Sequence, residues 1–145
     1  MTTLTIGSWS QLGIQASQVR TAVFVHEQNI PAEMEWDVAD QTAVHAVICN
    51  AQEEPVATGR LLVHAPGVGR IGRMAVLSHL RGSGLGQLVL EALVQAARER
   101  GHTEVCLHAQ TSAQGFYERL GFTPRGEVVA EVGIPHIEMF LDIGQ

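Results

Sequence analysis

The stretch from Arg73 to Gly86, RMAVLSHLRGSGLG, decides how the chain is read. An apolar run enters a loop with three glycines and Arg81. A long amphipathic pattern follows, with polar Gln87, Glu91, Gln95 and Glu99 every four residues and apolar residues elsewhere, which predicts a helix from about Gly84 to Arg100. Arg98 and Arg100 suit the negative end of that helix, and Gly101 supplies a left-handed cap. EVCLHAQ, from Glu104, then reads as a strand. Strand, helix and strand together make a crossover joining two parallel strands. In such a unit glycines let backbone approach a ligand, and the free N–H groups of the first helical turn attract an anion, with phosphate the obvious one. A nucleotide-binding P-loop needs a lysine, and the sequence has none. The dinucleotide fingerprint needs a third glycine where Gln87 stands.

Working outward, TLTIGSW opens the chain as a strand. Leu12, Ala16, Val19 and Val23 recur at the spacing of a helix face, with Arg20, Phe24 and Glu27 on a neighbouring face, so a helix ends near Glu27. QNIPAEMEWDVADQT (28–42) reads as a solvated acidic loop carrying Glu33, Glu35, Asp37 and Asp40 around Trp36, broken by Pro31. AVHAVICN, PVATGRLLVHA and RIGRMAV make a three-stranded meander. Beyond the crossover, Ser112 is placed to cap a short helix, AQGFYERL, that Gly121 ends, and GEVVAEV and HIEMFLDI close the chain as two strands. The class is mixed α+β: a mostly antiparallel sheet with one βαβ crossover, and a ligand crevice where the crossover strands end. With no linker or repeat in 145 residues, the whole chain (1–145) reads as a single domain.

Composition narrows the partners. A net charge of −6 argues against nucleic acid and weakly favours a cationic partner. No apolar run is long enough to cross a bilayer, and MTTLTIGSWSQ lacks the features of a secretory signal, so no membrane association and a cytoplasmic location are expected. Cys49 and Cys106 lie in apolar strands and read as buried free thiols. Cys106 and His108 share one strand face, but a third ligand of matching spacing is missing, so no metal is expected.

Arg81-x-x-Gly84-x-Gly86 resembles the coenzyme-binding motif R/Q-x-x-G-x-G/A of the GNAT superfamily of N-acetyltransferases. A second signature follows: QTSAQGFYERLGF resembles N-x-x-A-x-x-F-Y-x-x-x-G-F, matching at Ala113, Phe116, Tyr117, Gly121 and Phe122, with Gln110 where asparagine is usual. RTAVFVHEQ, the loop with Asp37 and Asp40, and GIPHIEM resemble the ElaA-type subgroup, so the likeness spans nearly the whole chain.

The resemblance implies acetyl-CoA as co-substrate and a small-molecule, polyamine or peptide amine as acceptor. The pyrophosphate would lie on N–H groups from Arg81 through Gly82, Ser83, Gly84, Leu85 and Gly86 to Gln87. The pantetheine arm would pair with backbone at Met74, Ala75 and Val76, in a gap where the parallel strands splay apart, and Gln110, Ala113 and Phe116 would line the coenzyme side. Tyr117 occupies the position of the family's general acid. Several members carry a glutamate base on the strand where this chain has Arg73, so the base is open among Glu27, Asp37, His45, His108 and His136, with His136 and Glu27 favoured by the subgroup motifs. A homodimer is compatible with the resemblance and with an edge strand near the C-terminus. Two other readings of the same loop stand beside the enzyme: a non-catalytic acyl-CoA-binding module, and a nicotinamide or nucleotide binder.

Overall fold

In a computed structural model that describes residues 1–144, seven strands form one sheet in the order β1-β2-β3-β4-β5-β7-β6. They are β1 (Thr3–Gly7), β2 (Val44–Cys49), β3 (Pro55–Ala65), β4 (Val68–Val76), β5 (Glu104–Gln110), β6 (Thr123–Glu131) and β7 (Ile134–Asp142). All neighbours are antiparallel except β4 and β5. The mixed α+β class and the meander follow the sequence reading.

Two layers of helix cover the sheet. On one face lies α2 (Leu85–Glu99), whose Leu85, Val89, Leu90, Leu93, Val94, Ala96 and Ala97 are buried at helical spacing. They pack on Ala46, Ile48, Leu61, Ile71, Val105 and Leu107 in the main core. On the other face α1 (Trp9–Arg20) sets Leu12 and Ala16 on Val47, and its Val19, with Val23 of its continuation, packs on Ala75. Ala46, Val47 and Ile48 thus point alternately to the two layers, as a pleated strand covered on both sides requires. The packing of α1 falls mainly on β2, β3 and β4.

Two local features depart from expectation. The helix predicted to run to Glu27 is α-helical only to Arg20 and continues as a π-helix over Thr21–Glu27, a wider winding that tends to occur at functional positions. Ser112 does not cap the short helix: a 3₁₀ turn covers Thr111–Ala113, and α3 (Gln114–Arg119) starts after Ala113 with no side-chain cap bond. Cys49 and Cys106 are free, with burial raising both thiol pKa values.

Candidate active site

The parallel strands β4 and β5 pair only over Val68–Arg70 and Glu104–Cys106. Beyond Arg70 they part, and β4 runs on to Val76 with its β5-facing edge unpaired while β3 still holds Ala75 and Val76 through Thr58 and Ala57. The result is a fork with a free backbone edge on one prong. A bulge shapes that prong: Arg60 opposes Gly72 and Thr58 opposes Ala75, so Gly59 alone faces both Arg73 and Met74. Arg73 takes up the extra residue in the left-handed region, φ 51°, at a cost of about 1 kcal/mol for a non-glycine residue. The bulge turns Met74 and Val76 toward the main core under α2 and Ala75 toward α1.

The glycine loop lies at the end of β4. Gly82 and Gly84 have φ of 83° and 89°, which a side chain would strain, and Gly84 begins α2 without any capping side chain. The N–H groups of Arg81 and Ser83 are taken by the carbonyls of Ser78 and Leu80. Among the described residues, those of Gly82, Gly84, Leu85, Gly86 and Gln87 have no such backbone partner, so the N–H groups free to meet an anion are fewer than the Arg81–Gln87 run expected. A methyl group on Gly86 would come 3.7 Å from Val76 and 3.9 Å from Phe116, so the helix start, the end of β4 and α3 converge there.

Arg81 and Glu27 meet beside this loop. The Arg81 guanidinium donates to both Glu27 carboxylate oxygens and, through Nε at 3.2 Å and one terminal nitrogen at 3.0 Å, to the Val76 carbonyl. Hydrogen bonding to Arg81 holds the Glu27 carboxyl below its ordinary pKa. Glu27 is therefore placed as an anchor for Arg81 rather than as a proton acceptor.

Tyr117 lies on the α2 side, where α3 packs it between Phe116 and Phe122 with ring centroids 5.0 and 5.9 Å away. Burial pushes its pKa up to about 12, which keeps the phenol protonated. Gln110, Cys106 and His108 alternate with Val105, Leu107 and Ala109 of the main core and so face the opposite side. Gln110 thus faces the α1 side, while Ala113 stands at the start of α3.

His136 pairs with Gln110 across β5 and β7 and shares that α1-side face. Its Nδ1 is 2.8 Å from the Ile134 carbonyl, which can only accept, so Nδ1 is the donor and, in the neutral ring, Nε2 is the acceptor. His108 Nδ1 lies 2.6 Å from Glu131 Oε2 and 3.1 Å from an Arg70 terminal nitrogen, at the point where the fork opens.

The acidic loop is the part that sequence reasoning missed. Asp40 is fully buried and accepts two bonds of 2.9 Å from Arg20 and one of 2.8 Å from Arg60. Burial alone would raise its pKa, yet these guanidinium bonds bring it down to about 2. Arg20 also holds Glu35 through the backbone carbonyl at 2.7 Å and a carboxylate oxygen at 2.6 Å. Asp37 takes 2.7 and 3.0 Å bonds from Arg60, which keep its carboxyl below the usual range. Arg73 joins the set, donating to the Glu35 carbonyl at 3.0 Å and to Asp37 at 3.4 Å.

Three arginines and three carboxylates thus close a buried, charge-balanced network that ties the loop to β3 and to the β4 bulge. Asp37 is spoken for. His45, fully buried with Nε2 donating to the Asp40 carbonyl at 2.9 Å, is sealed from any acceptor, and burial lowers its pKa. The signal in the sequence was an arginine on each of two apolar faces, Arg20 after Ala16 and Arg60 within VATGRLLV.

A mostly antiparallel sheet opened by a fork, with a glycine-lined helix start below it, is the layout of an acyl-CoA-using transferase. The model of the acetyltransferase (GNAT) domain matches residues 11–143, and the chain belongs to this family. An uncharacterized N-acetyltransferase of Bacillus subtilis, YjcF, is 38% identical over 128 residues, 88% of this chain and 90% of that protein. The crystal structure of an acyl-CoA N-acyltransferase from Pseudomonas aeruginosa superposes with a TM-score of 0.85 at 35% identity, covering 97% of this chain and 99% of the other. That of Escherichia coli ElaA does so with a TM-score of 0.85 at 34% identity, covering 98% and 100%. The chain is an N-acetyltransferase. Among the described residues, no helix is long and apolar enough to cross a membrane and no cluster of three His, Cys, Asp or Glu side chains could hold a metal ion.

Proposed function

We propose that this protein, acting in the cytoplasm, transfers the acetyl group of acetyl-CoA to a primary amine by direct attack in a ternary complex. The observation that carries the reading is the fork itself, with Tyr117 on its α2 side and His136, its Nδ1 donating to the Ile134 carbonyl, on the other.

On the α2 side, the N–H groups of Gly82 and Gly84–Gln87 would hold the pyrophosphate, with the helix dipole adding to the attraction. The free edge of Met74, Ala75 and Val76 would pair with the amides of the pantetheine arm as an added strand does, and Phe116 and Ala113 would flank it. Ser83 and Arg81 then shape the loop, Arg81 by clamping Val76 and Glu27, rather than giving their own N–H groups.

On the α1 side, His136 Nε2 would take a proton from the ammonium form of the acceptor, directly or through a water, leaving a neutral amine. The amine nitrogen attacks the thioester carbonyl carbon, the carbon–sulfur bond breaks as Tyr117 gives its proton to the departing sulfur, and the second proton, shed by the newly acylated nitrogen, restores the phenol. Glu27 leaves the list of bases for the reason given by its ion pair.

The test is release of free thiol from acetyl-CoA across a panel of small amines, polyamines and peptide N-termini, with Tyr117→Phe and His136→Gln beside the wild type. Amine-dependent thiol release, slowed in both variants, is expected. Tight coenzyme binding without turnover on any acceptor would instead identify a non-catalytic acyl-CoA-binding module.

A further inference from the structure

The turn between β6 and β7 holds a residue that its backbone does not suit. Glu131 and Ile134 form the last pair of the two strands, so Val132 and Gly133 alone make the turn, with φ of 52° and 76°. Two positive φ values in a two-residue turn mark type I′, where asparagine, aspartate or glycine is usual first and a β-branched side chain is strained. Such a conformation persists only where surrounding contacts enforce it. Packing supplies little of that: residues 126–130 of β6 are exposed, and a bulge between Arg125 and Val129 bends the strand before the turn. The pairing of β5 with β7 ends at Gln110 and His136, so Ile134 and Pro135 overhang it.

Glu131 ties this overhang down. Among the described residues, it is the only one from 126 to 135 whose side chain hydrogen-bonds to another strand: its Oε2 lies 2.6 Å from His108 Nδ1 on β5. A carboxylate only accepts, so that nitrogen donates. An Arg70 terminal nitrogen lies 3.1 Å from the same Nδ1, and Arg70 and Cys106 are the last β4–β5 pair before the fork opens. The outermost strand thus reaches over β7 to the root of the fork. His136 depends on the same turn, because its Nδ1 donates to the carbonyl of Ile134, the pairing partner of Glu131.

We infer that Glu131 is a positioning residue for the acetyl transfer: held by His108 at the root of the fork, it keeps the strained turn in place and so fixes the Ile134 carbonyl that orients the His136 ring. This rests on the reading above, in which His136 takes the proton of the acceptor amine. Glu131 acts through turn, carbonyl and ring in sequence rather than on the reacting atoms.

The experiment measures thiol release from acetyl-CoA with spermidine, phenethylamine and the dipeptide alanylalanine, beside the imidazole nitrogen NMR spectrum of His136, assigned by its loss in His136→Gln. The variants are Glu131→Ala, Glu131→Gln, and Glu131→Ala combined with Val132→Asn. Glu131→Ala should lower kcat by about tenfold or more, with the KM for acetyl-CoA within about twofold of wild type, as misorientation of a reacting group does. Glu131→Gln keeps an oxygen that can accept from His108 and should stay within about threefold of wild type. Adding Val132→Asn makes an Asn-Gly turn that holds type I′ unaided, and should return Glu131→Ala to within about threefold. In the neutral ring, the proton should sit on Nδ1 of His136 in wild type, move mainly to Nε2 in Glu131→Ala, and return with Val132→Asn. An unchanged His136 tautomer in Glu131→Ala, or a loss of kcat that Val132→Asn leaves in place, would overturn the inference and leave acetyl transfer standing. A tautomer that moves as expected while none of the three amines is turned over would support the role of Glu131 and overturn the acetyl-transfer reading.

Discussion

The two sides of the fork are built by different means. On the α2 side almost everything is backbone: two left-handed glycines, a bare helix start and an unpaired strand edge, with α2 packed rigidly beneath. On the α1 side the shape is held by side chains, six buried or half-buried charges that clamp an irregular loop to β3 and β4. A backbone site recognises a constant ligand through local geometry that few substitutions can alter. A side-chain clamp lets the exposed residues of the loop change while its position is kept.

The largest effect expected falls on the clamp. Asp40→Asn removes the charge that pairs Arg20 and Arg60 in the interior, and breaking such a pair costs about 3–5 kcal/mol. Urea denaturation should show the loss, and a variant as stable as wild type would mean the network does not hold the loop. Catalysis comes next: Tyr117→Phe should lower kcat by about a hundredfold, the lower range for a positioned acid, with the KM for acetyl-CoA little changed. On the coenzyme side, Gly84→Ala forces a side chain into φ 89° and should cost about 1–2 kcal/mol, read as weaker coenzyme binding by calorimetry.

Acid should separate the two sides as well. The carboxyls of Asp40 and Asp37 titrate lower in the folded chain than in the unfolded one, so their stabilisation is complete above the ordinary aspartate pKa and is lost as pH falls through it toward about 2. For Asp40 the loss amounts to about 2 kcal/mol. Asp40→Asn should flatten that part of the stability–pH curve. The smallest signal is spectroscopic: Tyr117 is the only tyrosine, and its ultraviolet titration should have a midpoint displaced upward toward about 12 while the fold holds.

The same division explains what could be read from the sequence. The α2 side was legible because its determinants are consecutive: RGSGLG lies directly between an apolar strand and an amphipathic helix, and α2 spans Leu85–Glu99 where the periodicity placed it. The single parallel crossover implied a crevice where its strands end, and the resemblance implied that those strands splay apart. The α1 side was not legible, because its geometry depends on residues far apart in the chain. Arg20, Glu35, Asp40, Arg60 and Arg73 meet only in three dimensions, and a loop rich in acid reads as solvated when its arginines lie in other elements. The ion pair of Glu27 was hidden for the same reason, its partner Arg81 lying in a different segment of the chain. The π-helix has no local mark at all: Thr21–Glu27 carries the same apolar spacing that an α-helix would.

The central claim is that the fork receives the coenzyme on its α2 side, and a crystal structure of the protein with coenzyme A bound tests it most directly. The pyrophosphate oxygens should lie within hydrogen-bond distance of the N–H groups of Gly82 and Gly84–Gln87, with the pantetheine arm along Met74–Val76 and its sulfur directed toward Tyr117. Coenzyme found outside the fork, or a β4 that closes onto β5 beyond Arg70 and leaves no free edge, would contradict the account.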